Sequence, residues 1–121
     1  MTEVPNKKTY DLEKRTYEFA RRVREFVQKL PKTMANSEDG KQLVRSSGSV
    51  GANYIEANEA LSKKDFCMRI KICRKESKES YYWISLIEVG TDQERRSEKE
   101  DLVREATELT KIFGSIVVKS A

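Results

Sequence analysis

Residues 42–61 read QLVRSSGSVGANYIEANEAL, and this stretch decides how the chain is expected to fold. Its larger apolar residues recur at steps of three and four, the period of an α-helix with one buried face, at Leu43, Val50, Tyr54, Ala57 and Leu61. Small residues fill most other positions, including Gly48 and Gly51. A glycine inside a helix costs about 1 kcal/mol relative to alanine, so these two indicate the close approach of a second helix. The segment SSGS is also compatible with a loop, but the unbroken apolar register favours a continuous helix.

The composition predicts one helical domain covering residues 1–121, because the chain has only two prolines and five glycines and 36% of its residues are charged. No apolar run is long enough for a membrane helix, and the N-terminus lacks the apolar core of a secretion signal, so we expect a soluble, cytoplasmic protein. Cys67 and Cys73 are six residues apart on one predicted helix, beyond the reach of a disulfide. The chain has no histidine and only two cysteines, which excludes histidine-based catalysis and the common zinc sites. We therefore expect no enzymatic activity, cofactor or metal.

The same periodicity predicts four helices, at about residues 8–30, 37–61, 63–89 and 97–118. Pro31 ends the first helix, Asn36 or Ser37 caps the second, and Gly90 ends the third. Capping boxes begin the third and fourth helices, with the pairs Ser62 and Asp65, and Ser97 and Glu100. The short join between helices two and three predicts an antiparallel hairpin or, if the join straightens, a bent rod. The expected fold is an all-α, up-down-up-down antiparallel four-helix bundle.

Basic residues are concentrated on helices one and three. The candidate nucleic-acid contacts are Arg15, Arg21, Arg22, Arg24 and Lys29 on helix one, and Lys64, Lys71, Lys75 and Lys78 on helix three. Cations at helical spacing suit a phosphate backbone. Many of them, however, have acidic residues three or four positions away, as solvated helix surfaces do, and no aromatic stacking residues are evident among them. A nucleic-acid surface and an ordinary solvated face are both compatible with this pattern.

Three pairs of glutamates spaced E-x-x-E offer an alternative, enzymatic interpretation: Glu56 and Glu59, Glu76 and Glu79, and Glu105 and Glu108. Such pairs hold Mg²⁺ in all-helical nucleotide pyrophosphohydrolases. In a chain this rich in glutamate, chance alone supplies roughly two of them, so the signal is weak. A ferritin-like di-iron site is excluded, because it requires histidine.

Two segments carry a pattern of polar and small residues, at Arg45, Ser46, Ser49, Ala52, Asn53, Glu56 and Ala57, and then at Lys75, Glu76, Glu79, Tyr82 and Trp83. With this pattern the chain resembles the bacterial four-helix proteins named after the intervening sequences of 23S rRNA genes, the S23 family. The similarity covers about residues 10–118 and departs from the common pattern at Tyr54. It implies a bundle that assembles as a ring-like homopentamer. The related accessory proteins of diversity-generating retroelements bind nucleic acid and a reverse transcriptase through a basic surface.

The matched polar residues predict a hydrogen-bond network of Arg45, Asn53 and Glu56 in which Arg45 pairs with Glu76 or Glu79. The alternative is that Arg45 contacts nucleic acid directly. Tyr82 and Trp83 are expected at a subunit interface, or else on a wide core face. Together these features predict a non-enzymatic oligomeric scaffold that binds structured RNA or DNA through the basic surfaces of helices one and three. The rival hypothesis is a protein-interaction platform, for an unknown partner, without nucleic-acid affinity.

Overall fold

The computed structural model describes the backbone of residues 3–120 and the side chains of residues 12–120. It contains four helices, α1 (Glu3–Gln28), α2 (Met34–Asn58), α3 (Lys63–Leu86) and α4 (Gln93–Ser120), and no strand within the described backbone. Helix α1 packs against α2 and α4, and α3 packs against the same two helices. Helices α1 and α3 therefore lie at opposite corners of the bundle. The predicted all-α four-helix bundle is confirmed.

Side-chain contacts show that α2 and α3 form an antiparallel hairpin rather than a bent rod. Arg45 at the middle of α2 contacts Glu79 of α3, whereas Asn53 further along α2 contacts Arg69, which precedes Glu79 on α3. The core between the helices holds large, fully buried side chains from all four, including Phe19, Phe26, Leu43, Ile70, Ile84, Leu109 and Phe113. The predicted apolar face of α2 is buried from Leu43 to Ala57. Leu61 is the exception, because α2 ends before it and its side chain is 99% exposed.

The helix ends differ from several of the predicted ones because apolar residues outside the helices continue the helical spacing. Leu30 is buried after α1 has ended, and Ile87 and Val89 are buried after α3 has ended. The backbone of Ile87 is already extended, with φ −68° and ψ 133°. Gly90 takes a positive φ of 75° in the turn beyond α3, rather than directly ending the helix. Apolar spacing alone therefore overestimated the lengths of these helices at their C-terminal ends.

Two of the three predicted N-terminal caps are wrong. Thr33, not Asn36 or Ser37, caps α2 by accepting a hydrogen bond from the backbone N–H of Asn36 at 3.1 Å. Helix α4 begins at Gln93, and Ser97 lies inside it. Asp92 accepts from the backbone N–H of Glu94 at 2.9 Å in front of that helix. The predicted Ser62 cap of α3 is confirmed, because its Oγ accepts from the backbone N–H of Asp65 at 3.0 Å.

Asn36 has a different role, because its buried side chain joins the loops at one end of the bundle. Its Nδ2 donates to the carbonyl oxygens of Pro31 at 3.0 Å and Glu88 at 2.9 Å. Its Oδ1 accepts from the backbone N–H of Glu88 at 3.1 Å. Through these three bonds Asn36 joins the segments that follow α1 and α3, and it gives the backbone N–H and carbonyl of Glu88 a hydrogen-bond partner after α3 has ended.

The small residues of α2 allow both neighbouring helices to come close, as the sequence indicated. A Cβ placed on Gly51 would lie 3.0 Å from Thr16 Oγ1 of α1, and one on Gly48 would lie 3.3 Å from a guanidinium nitrogen of Arg24. Toward α3, the hydroxyls of Ser46 and Ser80 hydrogen-bond at 2.8 Å. The SSGS segment is helical. Its small side chains therefore serve helix packing and not a turn.

The two cysteines are free thiols in different surroundings. Cys73 is buried and its Sγ donates to the carbonyl oxygen of Val50 at 3.4 Å. Burial raises the pKa of the Cys73 thiol to about 12. Because a thiol with so high a pKa is protonated at neutral pH, Cys73 is a packing residue and not a nucleophile. None of the helices between residues 3 and 120 is long and apolar enough to span a membrane.

Candidate nucleic-acid interface

A shallow groove of about 390 Å³ on the outer face of α3 is lined by Lys71, Arg74, Lys75, Lys78, Glu79 and Tyr82. The four cations and Tyr82 follow one another at steps of three, one, three and four residues, which places them on one side of the helix. At 1.5 Å per residue, the line from Lys71 to Tyr82 extends about 16 Å along the helix axis. We call this surface, formed by the four cations, Glu79 and Tyr82, the α3 groove.

The cations of the α3 groove are almost free of carboxylate partners. Within the part of the chain whose side chains are described, Lys71, Arg74 and Lys78 form no ion pair. Lys75 has one distant neighbour, Glu76, at 4.0 Å. Gly114 of α4 lies beside Arg74, since a Cβ there would be 3.6 Å from its Cδ. The groove therefore presents positive charge to solvent without an internal counterion for three of its four cations.

Arg45 of α2 holds the two carboxylates nearest the groove. Its Nη2 lies 2.6 Å from Glu79 Oε1 and 3.4 Å from Glu76 Oε1. The side chain of Glu76 is only 7% exposed, and Glu79 is the one acidic residue that lines the groove. By pairing with both, Arg45 offsets the negative charge that would otherwise face the lysines. The structure thus brings together the three residues that the sequence paired.

Asn53 and Glu56, the other predicted members of that network, lie apart from Arg45. The Nδ2 of Asn53 donates to the backbone oxygen and the hydroxyl of Ser49, both at 2.9 Å. Its Oδ1 accepts from Arg69 Nη1 at 2.9 Å. Glu56 is exposed, and its side chain makes no hydrogen bond or ion pair among residues 12–120. The expected single network is therefore two separate clusters between α2 and α3, and Glu56 belongs to neither.

Three of the five predicted cations on α1 are engaged within the protein, and two of these form ion pairs. Arg15 makes a two-pronged contact with Glu105 of α4, from Nε at 2.7 Å and from Nη2 at 3.0 Å. Arg21 pairs with Glu18 and Glu25 on its own helix, and its hydrogen bond to Glu18 and the two negative charges raise its pKa.

The remaining predicted cations of α1 do not continue the α3 groove. Arg24 donates to the carbonyl oxygen of Ala20 at 3.0 Å and covers Gly48. Arg22 and Lys29 form no ion pair within residues 12–120, but they follow Arg15 at intervals of seven and so lie on the side of α1 next to α4. Lys64 is exposed near the start of α3, outside the groove. Because α1 and α3 occupy opposite corners, the two predicted stripes are separate surfaces.

Tyr82 and Trp83 are adjacent in sequence but face different surroundings. Tyr82 is 55% exposed at the end of the α3 groove, and its ring meets that of Trp83 edge-on with centroids 5.0 Å apart. Trp83 is half-buried and packs against the core of its own chain. Its Nε1 is buried and lacks a hydrogen-bond partner among the described residues. Of the two alternatives for this pair, the wide core face fits Trp83.

Arg74 and Tyr82 were not among the nucleic-acid contacts predicted from the sequence. Their signal was present, because positions 71, 74, 75, 78 and 82 fit one helical face. The predicted contacts on helix three were all lysines, so Arg74 was left out. Tyr82 was considered together with Trp83, and the pair was expected at a subunit interface. The line of cations on α3 therefore ends at an aromatic side chain, Tyr82, which was not predicted as a stacking residue.

Of the three carboxylate pairs that could hold Mg²⁺, one is occupied fully and one in part by arginines. Arg45 contacts both members of the Glu76 and Glu79 pair, and Arg15 contacts Glu105. A guanidinium in this position supplies the positive charge that a bound cation would otherwise provide. Among residues with described side chains, no group of three or more His, Cys, Asp or Glu is arranged to hold a metal ion.

Comparison with known proteins identifies the chain's relatives. Residues 8–115 match the model of the family described as 23S rRNA-intervening sequence protein. The crystal structure of a protein of unknown function from the S23 ribosomal protein family of Bacteroides thetaiotaomicron is 32% identical, with a TM-score of 0.71. The alignment covers 87% of this chain and 96% of that one. No curated protein matches. The chain belongs to the 23S rRNA-intervening sequence protein family.

Proposed function

We propose that this protein is a non-enzymatic, oligomeric scaffold that binds structured nucleic acid, foremost RNA, through the α3 groove. The observation that carries the proposal is the set of four solvent-facing cations, three of them without a carboxylate partner among the described residues. Phosphate oxygens are the complementary ligands for such a set. The family description refers to a ribosomal RNA, which gives RNA priority over DNA as the ligand to test.

The proposal has a quantitative signature. Each phosphate neutralised by a protein cation releases condensed counterions, so affinity falls with salt by a slope of about 0.7 to 0.9 per contact in a plot of log K against log salt concentration. Four contacts in the α3 groove predict a slope of about −3 for a single copy of the chain. The homopentamer implied by the family resemblance would present five such grooves, and a ligand that reaches several of them would bind more tightly through a raised effective concentration.

One observation favours the rival, a protein-interaction platform. Tyr82 and Leu86 lie four residues apart on α3 and are 55% and 45% exposed. An aromatic and an aliphatic side chain next to a basic groove also suit an acidic protein surface. The experiment therefore has to distinguish specific use of the groove from general attraction of positive charge.

The test is fluorescence anisotropy with a labelled ribosomal RNA hairpin and a DNA duplex of equal charge, over a range of salt concentrations. The variant K71Q/R74Q/K75Q/K78Q removes the positive charge of the α3 groove. Its matched control, R21Q/R22Q/R24Q/K29Q, removes the same charge from α1. We expect the groove variant to lose binding and salt dependence and the control to retain both. Circular dichroism and the particle mass by native mass spectrometry check that both variants fold and assemble.

Two outcomes would overturn the proposal. If the wild-type protein does not bind either nucleic acid at low salt, the protein-interaction platform is favoured. If both variants lose the same affinity, binding reflects net charge and not the α3 groove. Tighter binding to the DNA duplex than to the hairpin would reverse the preference for RNA while leaving the groove as the site.

A further inference from the structure

The α3 groove combines two kinds of recognition, because its line of cations ends at an exposed aromatic ring. Tyr82 follows Lys78 by four residues, or about 6 Å along the helix axis at 1.5 Å per residue. The edge contact with Trp83, at 5.0 Å between centroids and 73° between planes, supports the ring from one side. Trp83 packs against the core, so Tyr82 contacts a partly buried neighbour while 55% of its own surface stays exposed.

An aromatic ring beside phosphate-binding cations has a specific use in nucleic-acid recognition. Bases of any type have a flat π-face that can stack on an aromatic side chain. In a continuous duplex those faces are covered by the neighbouring base pairs, so only unpaired nucleotides can stack on a protein ring. Phosphate contacts alone would not distinguish a duplex from a loop of the same charge, whereas a stacking ring would.

We propose that the α3 groove selects unpaired nucleotides of a structured RNA, with Lys71, Arg74, Lys75 and Lys78 on consecutive phosphates and a base stacked on Tyr82. This inference rests on the proposed function and names its ligand more closely. The span of about 10 Å from Lys71 to Lys78 along the helix corresponds to about three nucleotide steps of a stacked strand at 3.4 Å per nucleotide, which is four phosphates. Tyr82 lies about 6 Å further along the helix, within reach of a base one or two nucleotides beyond them. Glu79, the acidic residue in the groove, is held by Arg45 and so does not oppose the strand.

The probes for this inference are two RNAs equal in length and charge, a hairpin with an unpaired loop and a blunt, fully paired duplex. We compare the wild-type protein with Y82L, which keeps apolar bulk but removes the π-face, and with Y82F, which keeps the ring. Y82L should weaken loop binding by about tenfold, as expected for the loss of one stacked base. Its affinity for the duplex and its salt slope should not change. Y82F should bind both RNAs within about twofold of the wild type, since stacking on the ring does not need the hydroxyl.

A fluorescent base analogue at the unpaired positions provides a second readout, because its emission is quenched when it stacks. Quenching should occur with the wild type and Y82F and be absent with Y82L. If Y82L binds the loop as tightly as the wild type, or weakens both RNAs equally, the stacking role of Tyr82 is disproved. A smaller particle mass for Y82L would instead place Tyr82 between subunits and also overturn the inference. Failure of the proposed function would give a different result, because K71Q/R74Q/K75Q/K78Q would then bind RNA as tightly as the wild type does.

Discussion

Helices α1 and α3 carry similar stripes of cations at opposite corners of the bundle, but the two stripes have different surroundings. On α1, Arg15 is paired with Glu105 of the neighbouring helix and Arg21 with two glutamates of its own helix. On α3, the acidic residues nearest the stripe are held by Arg45. The comparison teaches that the spacing of charges along a helix does not distinguish a binding surface from a stabilised one. The positions of the opposite charges on the neighbouring helices decide which of the two a stripe becomes.

The first prediction concerns stability, where the two stripes should differ most. Arg15→Met should lower the free energy of unfolding by about 1–2 kcal/mol, because it leaves the carboxylate of Glu105 without its two-pronged partner. Glu105 is only 16% exposed, so water replaces that partner poorly. Lys78→Met on α3 should change stability by no more than about 0.5 kcal/mol, since it removes no ion pair. Urea denaturation followed by circular dichroism measures both.

A second substitution checks the assignment to Glu105. In Arg15→Met/Glu105→Leu both charged partners are replaced by apolar groups, and this should recover part of the lost stability. Equal destabilisation by Arg15→Met and Lys78→Met would show that the cations of α1 and α3 support the fold alike, and the contrast between the stripes would be lost.

The second prediction tests whether Arg45 keeps the α3 groove free of negative charge. Arg45→Met should release Glu79 toward the lysines and weaken RNA binding by about three- to tenfold at moderate salt, roughly the loss of one phosphate contact. Adding Glu79→Gln should restore the affinity, because the released negative charge is then absent. Anisotropy titrations of the single and double variants measure the effect.

The double variant also distinguishes the two roles proposed for Arg45. If Arg45 contacts the nucleic acid directly, Arg45→Met/Glu79→Gln will remain weak, because removal of the carboxylate does not replace the lost contact. The matched control is Arg69→Met, which removes a cation that bonds Asn53 outside the groove and should leave binding within about twofold of the wild type.

Sequence reasoning identified four helices, the core face of α2 and the purpose of Gly51 because each depends on local spacing. The ends of α1 and α3 were misplaced because Leu30, Ile87 and Val89 keep that spacing after the backbone has left the helix. Helix order around the core is a property of tertiary packing. Periodicity therefore did not reveal that the two basic stripes are diagonal, or that α4 places Glu105 opposite Arg15.

Two adjacent residues of α3 differ in the same way, because one belongs to the binding surface and the other supports the core. Tyr82 is exposed in the groove, whereas Trp83 turns toward the core and buries an Nε1 that has no partner among the described residues. The same reasoning that separates α1 from α3 therefore applies within one helix. Trp83→Phe, which keeps an aromatic ring beside Tyr82, should therefore leave RNA binding unchanged.

The third and smallest effect is expected for Trp83→Phe. Phenylalanine keeps an aromatic ring in the core and removes the buried donor, whose lack of a partner costs about 1–3 kcal/mol, while the smaller ring gives up some packing. These opposing effects should leave the free energy of unfolding within about 1 kcal/mol of the wild type. Urea denaturation and native mass spectrometry provide the measurement. A loss of clearly more than that, together with a smaller particle, would mean that Nε1 finds its partner in another subunit, and Trp83 would then join two copies of the chain.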